Sequence, residues 1–180
     1  MSLDSDLAAL RAYLPDFEQY LKSDTIFWTA GSNLPALTLG GLLFVRRALA
    51  ARRAQMTAAQ IAEFDQLESQ AHLQFTRWPA NIEKKALKEI GQRLNVWTAA
   101  LEELGDNYAQ AINTRAYLSL LLPLVERLPG AEPHRGRLDA LDRRLRNLLS
   151  PGNFVWDASL ADSFRRDEFW FLYGQPRKRD

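Results

Sequence analysis

There is no cysteine in these 180 residues. Disulfide staples, thiolate zinc sites, iron–sulfur clusters and cysteine nucleophiles are all excluded by that absence, and a cysteine-free chain fits a cytoplasmic protein. Histidine is nearly as scarce: His72 and His134 are the only two, and neither belongs to a nucleophile or metal motif. No Gly-x-Ser-x-Gly elbow, Gly-x-Gly-x-x-Gly turn or Walker lysine loop occurs. Net charge is also lacking, with 23 basic residues against 22 acidic ones and a balance of +1. That is too little for a whole-molecule field that gathers nucleic acid or anionic lipid. The chain opens Met-Ser-Leu-Asp-Ser-Asp, with no basic stretch leading into an apolar one, so no secretory signal is expected.

Long apolar runs are missing too. Residues 25–45 hold no charge, and Arg46, Arg47, Arg52 and Arg53 follow, a pattern superficially like a membrane span with a positive flank. Gly31-Ser32-Asn33-Leu34-Pro35 interrupts it, however, and the apolar part left at 34–45 falls well short of the roughly 20 residues a bilayer needs. A buried core helix is the better reading, and no membrane partner is expected.

What is present is core material. Apolar residues make up 47% of the chain and include five Trp, nine Phe and five Tyr, enough to fill a core without metal or disulfide. Alternation of the kind a strand needs never persists beyond four or five residues, and no fixed-period repeat or linker appears. The expectation is all-α: a single domain over 1–180, a bundle of about six helices with an irregular, aromatic-rich C-terminal arm and tail at 153–180.

The first helix, 4–22, carries Leu7, Leu10, Leu14, Phe17 and Leu21 on one stripe, with Pro15 inside it predicting a kink or a break. A second is predicted over 33–53, with Asn33 as N-cap and Pro35 in its first turn. The Gly40-Gly41 pair within it predicts close approach of another helix. Thr57 and Gln60 form a capping box for a third, with Ile61, Phe64, Leu67, Ala71, Phe75 and Trp78 on its buried side and Pro79 ending it. A fourth, capped by Asn81, repeats Leu87, Ile90, Leu94, Trp97, Leu101 and Leu104 at heptad-like spacing up to Gly105. A fifth spans 106–128, kinked at Pro123, and a sixth spans 134–149 with Leu138, Leu141, Leu145 and Leu148 on one face. Pro151-Gly152 stops it.

Signals that carry chemistry are thin. Glu68 and His72 share a helix face, but di-iron bundles need Glu and His three apart on two helices, so a surface pair is the ordinary reading. The basic groups Arg46/Arg47/Arg52/Arg53, Lys84/Lys85/Lys88 and Arg135/Arg137/Arg143/Arg144/Arg146 read as solvated faces, since their members spread around their helices or alternate with Asp139 and Asp142. The aromatics outside the stripes stand apart, because loops rarely spend so much apolar area. Phe27, Trp28, Trp156, Trp170 and Tyr173, with Asn33 and Asp157 as polar companions, are the candidate ligand- or partner-binding residues. No catalytic residue is assigned, and no metal or cofactor is expected.

The functional expectation is a non-enzymatic helical module acting by protein–protein interaction or self-association. The alternatives are a small-molecule binder or enzyme with an aromatic-lined pocket between bundle and arm, and a nucleic-acid-binding accessory protein using the arginines of the second and sixth helices.

Overall fold

Helix-forming stripes need caps at their ends, and the caps decide where each helix of this protein begins. The computed structural model describes residues 2–31, 34–104 and 107–177. Within them lie six α-helices: α1 (Leu3–Lys22), α2 (Leu39–Ala51), α3 (Ala58–Arg77), α4 (Pro79–Glu102), α5 (Tyr108–Leu121) and α6 (Glu132–Leu148). Two short strands, β1 (Leu149–Pro151) and β2 (Gly174–Pro176), complete the regular structure. The fold is all-α with a short irregular C-terminal arm. The chain divides into two compact units, Met1–Glu89 and Ile90–Asp180, and the division falls inside α4.

In the first unit, all five stripe residues of α1 are buried. The expected break at Pro15 does not occur, and α1 runs through it as one helix. Pro15 is on the exposed side, where water can serve the carbonyl left without a donor, while Leu14 and Phe17 are held in the core.

The start of α2 is displaced from the expected one. Asn33 lies outside the described residues. Pro35 precedes the helix, its carbonyl accepting from the Tyr13 hydroxyl at 2.9 Å. Leu37 is paired with Trp28 in an extended bridge through N–H···O bonds of 2.7 and 3.0 Å. The N-cap is Thr38, whose hydroxyl oxygen accepts from the Gly41 N–H at 2.9 Å. A Cβ on Gly41 would stand 2.9 Å from that same oxygen, so this glycine serves its own cap and not the expected approach of another helix. The C-terminal end also comes early: Arg52 caps α2, and Arg53 begins a 3-10 turn.

Thr57 and Gln60 form the expected capping box, with bonds of 2.9 and 3.3 Å. Phe64, Leu67 and Ala71 are buried, whereas Ile61, Phe75 and Trp78 are half-buried. Pro79 ends α3 but also opens α4 as its first residue, where a missing N–H costs nothing; Asn81 therefore sits inside the first turn and is not the cap.

In the second unit Ile90, Leu94, Trp97 and Leu101 are buried along α4, and Leu104 is half-buried. Gly105 lies outside the described residues. The fifth helix stops at Leu121, short of the expected 128, because Pro123 cannot donate, and the chain tightens into a 3-10 turn at Leu122–Val125. Leu138, Leu141 and Leu145 bury one face of α6, which begins at Glu132 with Pro133 in its first turn. The arm is more ordered at its ends than expected. β1 and β2 pair antiparallel, Ser150 opposite Gln175, and the chain between them folds into turns around Phe164, Phe169 and Phe171. These three rings are fully buried and meet edge to face at centroid distances of 5.0 and 5.9 Å.

Candidate functional site

The singled-out residues fall into both units. In the first, Phe27 is 55% exposed, and the Trp28 indole N–H donates to Asp16 at 3.1 Å. In the second, Trp156 packs edge-on against Phe164 at 5.2 Å and donates to the Ala109 carbonyl at 3.4 Å. Asp157 caps a 3-10 turn by accepting from the N–H and hydroxyl of Ser159. Both of these residues are committed to holding the arm together.

Trp170 and Tyr173 are placed differently. Both line an open cavity of about 290 Å³, together with Arg146 from the last turn of α6, Arg166 from the arm, Ser150 of β1 and Gly174 of β2. The Arg146 guanidinium lies over the Trp170 ring, 3.8 Å from its centroid, and Arg166 lies 5.7 Å from that of Tyr173. The Tyr173 hydroxyl is within 3.0 Å of the Phe164 carbonyl and 3.2 Å of that of Ala161. Its pKa is pushed up by burial and further by the charge of Asp162.

The sequence places Arg146 in a basic group read as a solvated face and does not single out Arg166; several neighbouring arginines are paired instead. Arg115 is buried and forks onto Asp142 with two bonds of 2.7 Å. Arg144 faces Glu102 at 3.8 Å, and Arg165 pairs with Asp167. Neither Arg146 nor Arg166 has a carboxylate at ion-pair distance among the described residues. The only hint in the sequence is a cation next to an aromatic-rich segment.

Several basic side chains of the first unit have partners within it instead. Arg46 forks onto Glu68 at 2.7 and 2.9 Å, which takes that carboxylate into an ion pair, while His72 is exposed. Arg52 is buried against Asp6 at 2.9 Å, and Arg53 pairs with Asp65. Burial outweighs the attraction of Arg52 and leaves the Asp6 carboxyl above its ordinary range. Lys85, also buried, donates to the carbonyls of Ser23 at 2.6 Å and Thr25 at 2.9 Å, and loss of hydration lowers its pKa.

Glu89 was missed altogether. Fully buried, it accepts the Leu39 N–H at 2.8 Å and the Gly40 N–H at 3.1 Å. With the Tyr20 hydroxyl on Leu39 and Thr38 on Gly41, the first turn of α2 is served by side chains of its own chain and offers no N–H groups to an outside anion.

Among the described residues no group of three or more His, Asp or Glu is placed to hold a metal ion, and no helix is long and apolar enough to cross a membrane. No family model matches this chain, and neither a curated protein nor a solved structure matches it.

Proposed function

We propose that the protein is a non-enzymatic binding module, acting in a cytoplasmic setting, whose binding face is the groove between the last turn of α6 and the C-terminal arm. One observation carries this reading: two arginines without acidic partners among the described residues lie against aromatic rings around an open cavity, while Arg115, Arg144 and Arg165 of the same unit are paired. Guanidiniums held against rings lose little freedom on meeting a ligand and recognise planar, charged groups well. The exposed apolar residues Phe27, Leu73 and Val96 come from the loop after α1, from α3 and from α4, and single exposed apolar side chains are ordinary on a protein surface.

Native mass spectrometry of the freshly purified protein and of an Arg146→Gln/Arg166→Gln variant tests the proposal. A dimer or a fixed-stoichiometry polypeptide complex that is lost in the variant is the expected result. A monomer carrying a small adduct of constant mass would overturn it in favour of a ligand pocket.

A further inference from the structure

We infer that the occupant of this groove is an acidic segment of a partner protein, its side-chain carboxylates meeting Arg146 and Arg166. This deepens the binding-module reading and rests on it. The charge argument comes first. Among the described residues neither Arg146 nor Arg166 has a carboxylate at ion-pair distance, and none of those lining the cavity is acidic. A guanidinium pairs with a carboxylate through two parallel bonds, as Arg115 does with Asp142 inside the same unit. Charge complementarity at an exposed groove of this kind asks for acids supplied from outside.

Shape selects the class of ligand. At about 290 Å³ and open to solvent, the cavity sits at the lower end of the range in which a small molecule is enclosed on most sides. A polypeptide brings its own second wall. Addition of a peptide strand to the ribbon is disfavoured, because Pro151 lies in β1 and Pro176 in β2, and each removes a backbone donor from a three-residue strand. Recognition therefore falls to side chains: the guanidiniums for acids, and the Leu149, Trp170 and Tyr173 surfaces for an apolar neighbour.

Selection from a display library of short random peptides, run in parallel on the natural protein and the Arg146→Gln/Arg166→Gln variant, tests the inference. Both substituted side chains are exposed and lack an ion-pair partner among the described residues, so the variant is expected to retain the natural circular dichroism spectrum and melting temperature. Peptides enriched in Glu and Asp are expected, binding at least about tenfold more weakly to the variant, the loss of one charge-assisted hydrogen bond, and more weakly as salt is added. Enrichment of neutral or basic peptides, or of acidic ones indifferent to the double substitution, would overturn the inference and leave the binding-module reading standing. If no peptide is retained, both fall. Saturable binding of citrate or inorganic phosphate without any retained peptide would make the groove a small-anion site and overturn the inference as well.

Discussion

The first unit and the C-terminal arm settle the same difficulty, buried polar groups, by opposite means. The first unit uses charged side chains from distant helices: Glu89 on the α2 N-terminus, Lys85 on the carbonyls that follow α1, and Arg52 against Asp6. The arm instead satisfies backbone carbonyls with phenol hydroxyls, Tyr108 on Phe171 and Tyr173 near Phe164, and fills the remaining space with rings. Helices present their unsatisfied groups in concentrated sets at their ends, where one charge can serve several of them. An irregular arm scatters single groups along its length, and each needs its own partner. Removing a partner should therefore be costly per residue in the first unit, while removing packing should be costly in the arm.

The largest effect is expected from Phe169→Ala, about 4 kcal/mol in urea unfolding, because a fully buried ring leaves a cavity that a packed aromatic chain cannot close. Near-ultraviolet circular dichroism should change while the helical far-ultraviolet signal persists. A cost near zero would show that the arm contributes no core.

Next comes the buried ion pair. Asp6→Ala should cost about 3 kcal/mol by stranding Arg52, whereas Asp6→Leu combined with Arg52→Met should come out close to the natural protein. Urea midpoints of the single and double variants decide it; equal losses in both would mean that the pair itself, and not the stranded charge, matters.

Glu89→Leu should cost about 2 kcal/mol, since the Gly40 N–H loses its buried acceptor while Leu39 retains the Tyr20 hydroxyl. Hydrogen exchange should quicken first at Gly40 and its neighbours.

The smallest effect belongs to Tyr108→Phe, about 1 kcal/mol at neutral pH, for one hydrogen bond to the Phe171 carbonyl. Its sign with pH follows from burial, which raises the Tyr108 pKa above the usual 10.0. The stability this residue contributes is complete below the unfolded value and is lost as pH rises through it, because the unfolded chain then releases a proton that the folded one keeps. Denaturation series between about pH 8 and about pH 11 should show the natural protein losing stability faster than the variant. Parallel curves would remove the buried phenol from the comparison.

Legibility in the sequence follows the range of the interactions. The stripe of α1 and the Thr57–Gln60 box are legible because each rests on spacings of three or four residues. The start of α2 was misplaced because Thr38 became the cap in a setting built by Trp28, Tyr13, Tyr20 and Glu89, some of them far away in sequence. Trp170 and Tyr173 stood out as aromatics where no helical stripe used them. Arg146 stood out only as one member of a basic group read as a solvated face and Arg166 not at all, since whether an arginine is paired depends on which carboxylates the fold brings near, and composition is silent on that.

The sequence by itself determined the all-α class, six helices and an aromatic arm, because a 3.6-residue period, a capping residue and a proline act over short distances and need no partner from elsewhere. Only the tertiary structure decided that Glu89 serves the N-terminus of α2, that Arg52 is buried while Arg146 and Arg166 are left open, and that the arm closes on a two-stranded ribbon. Each of those depends on groups brought together across many residues, where desolvation and the nearest opposite charge set the outcome.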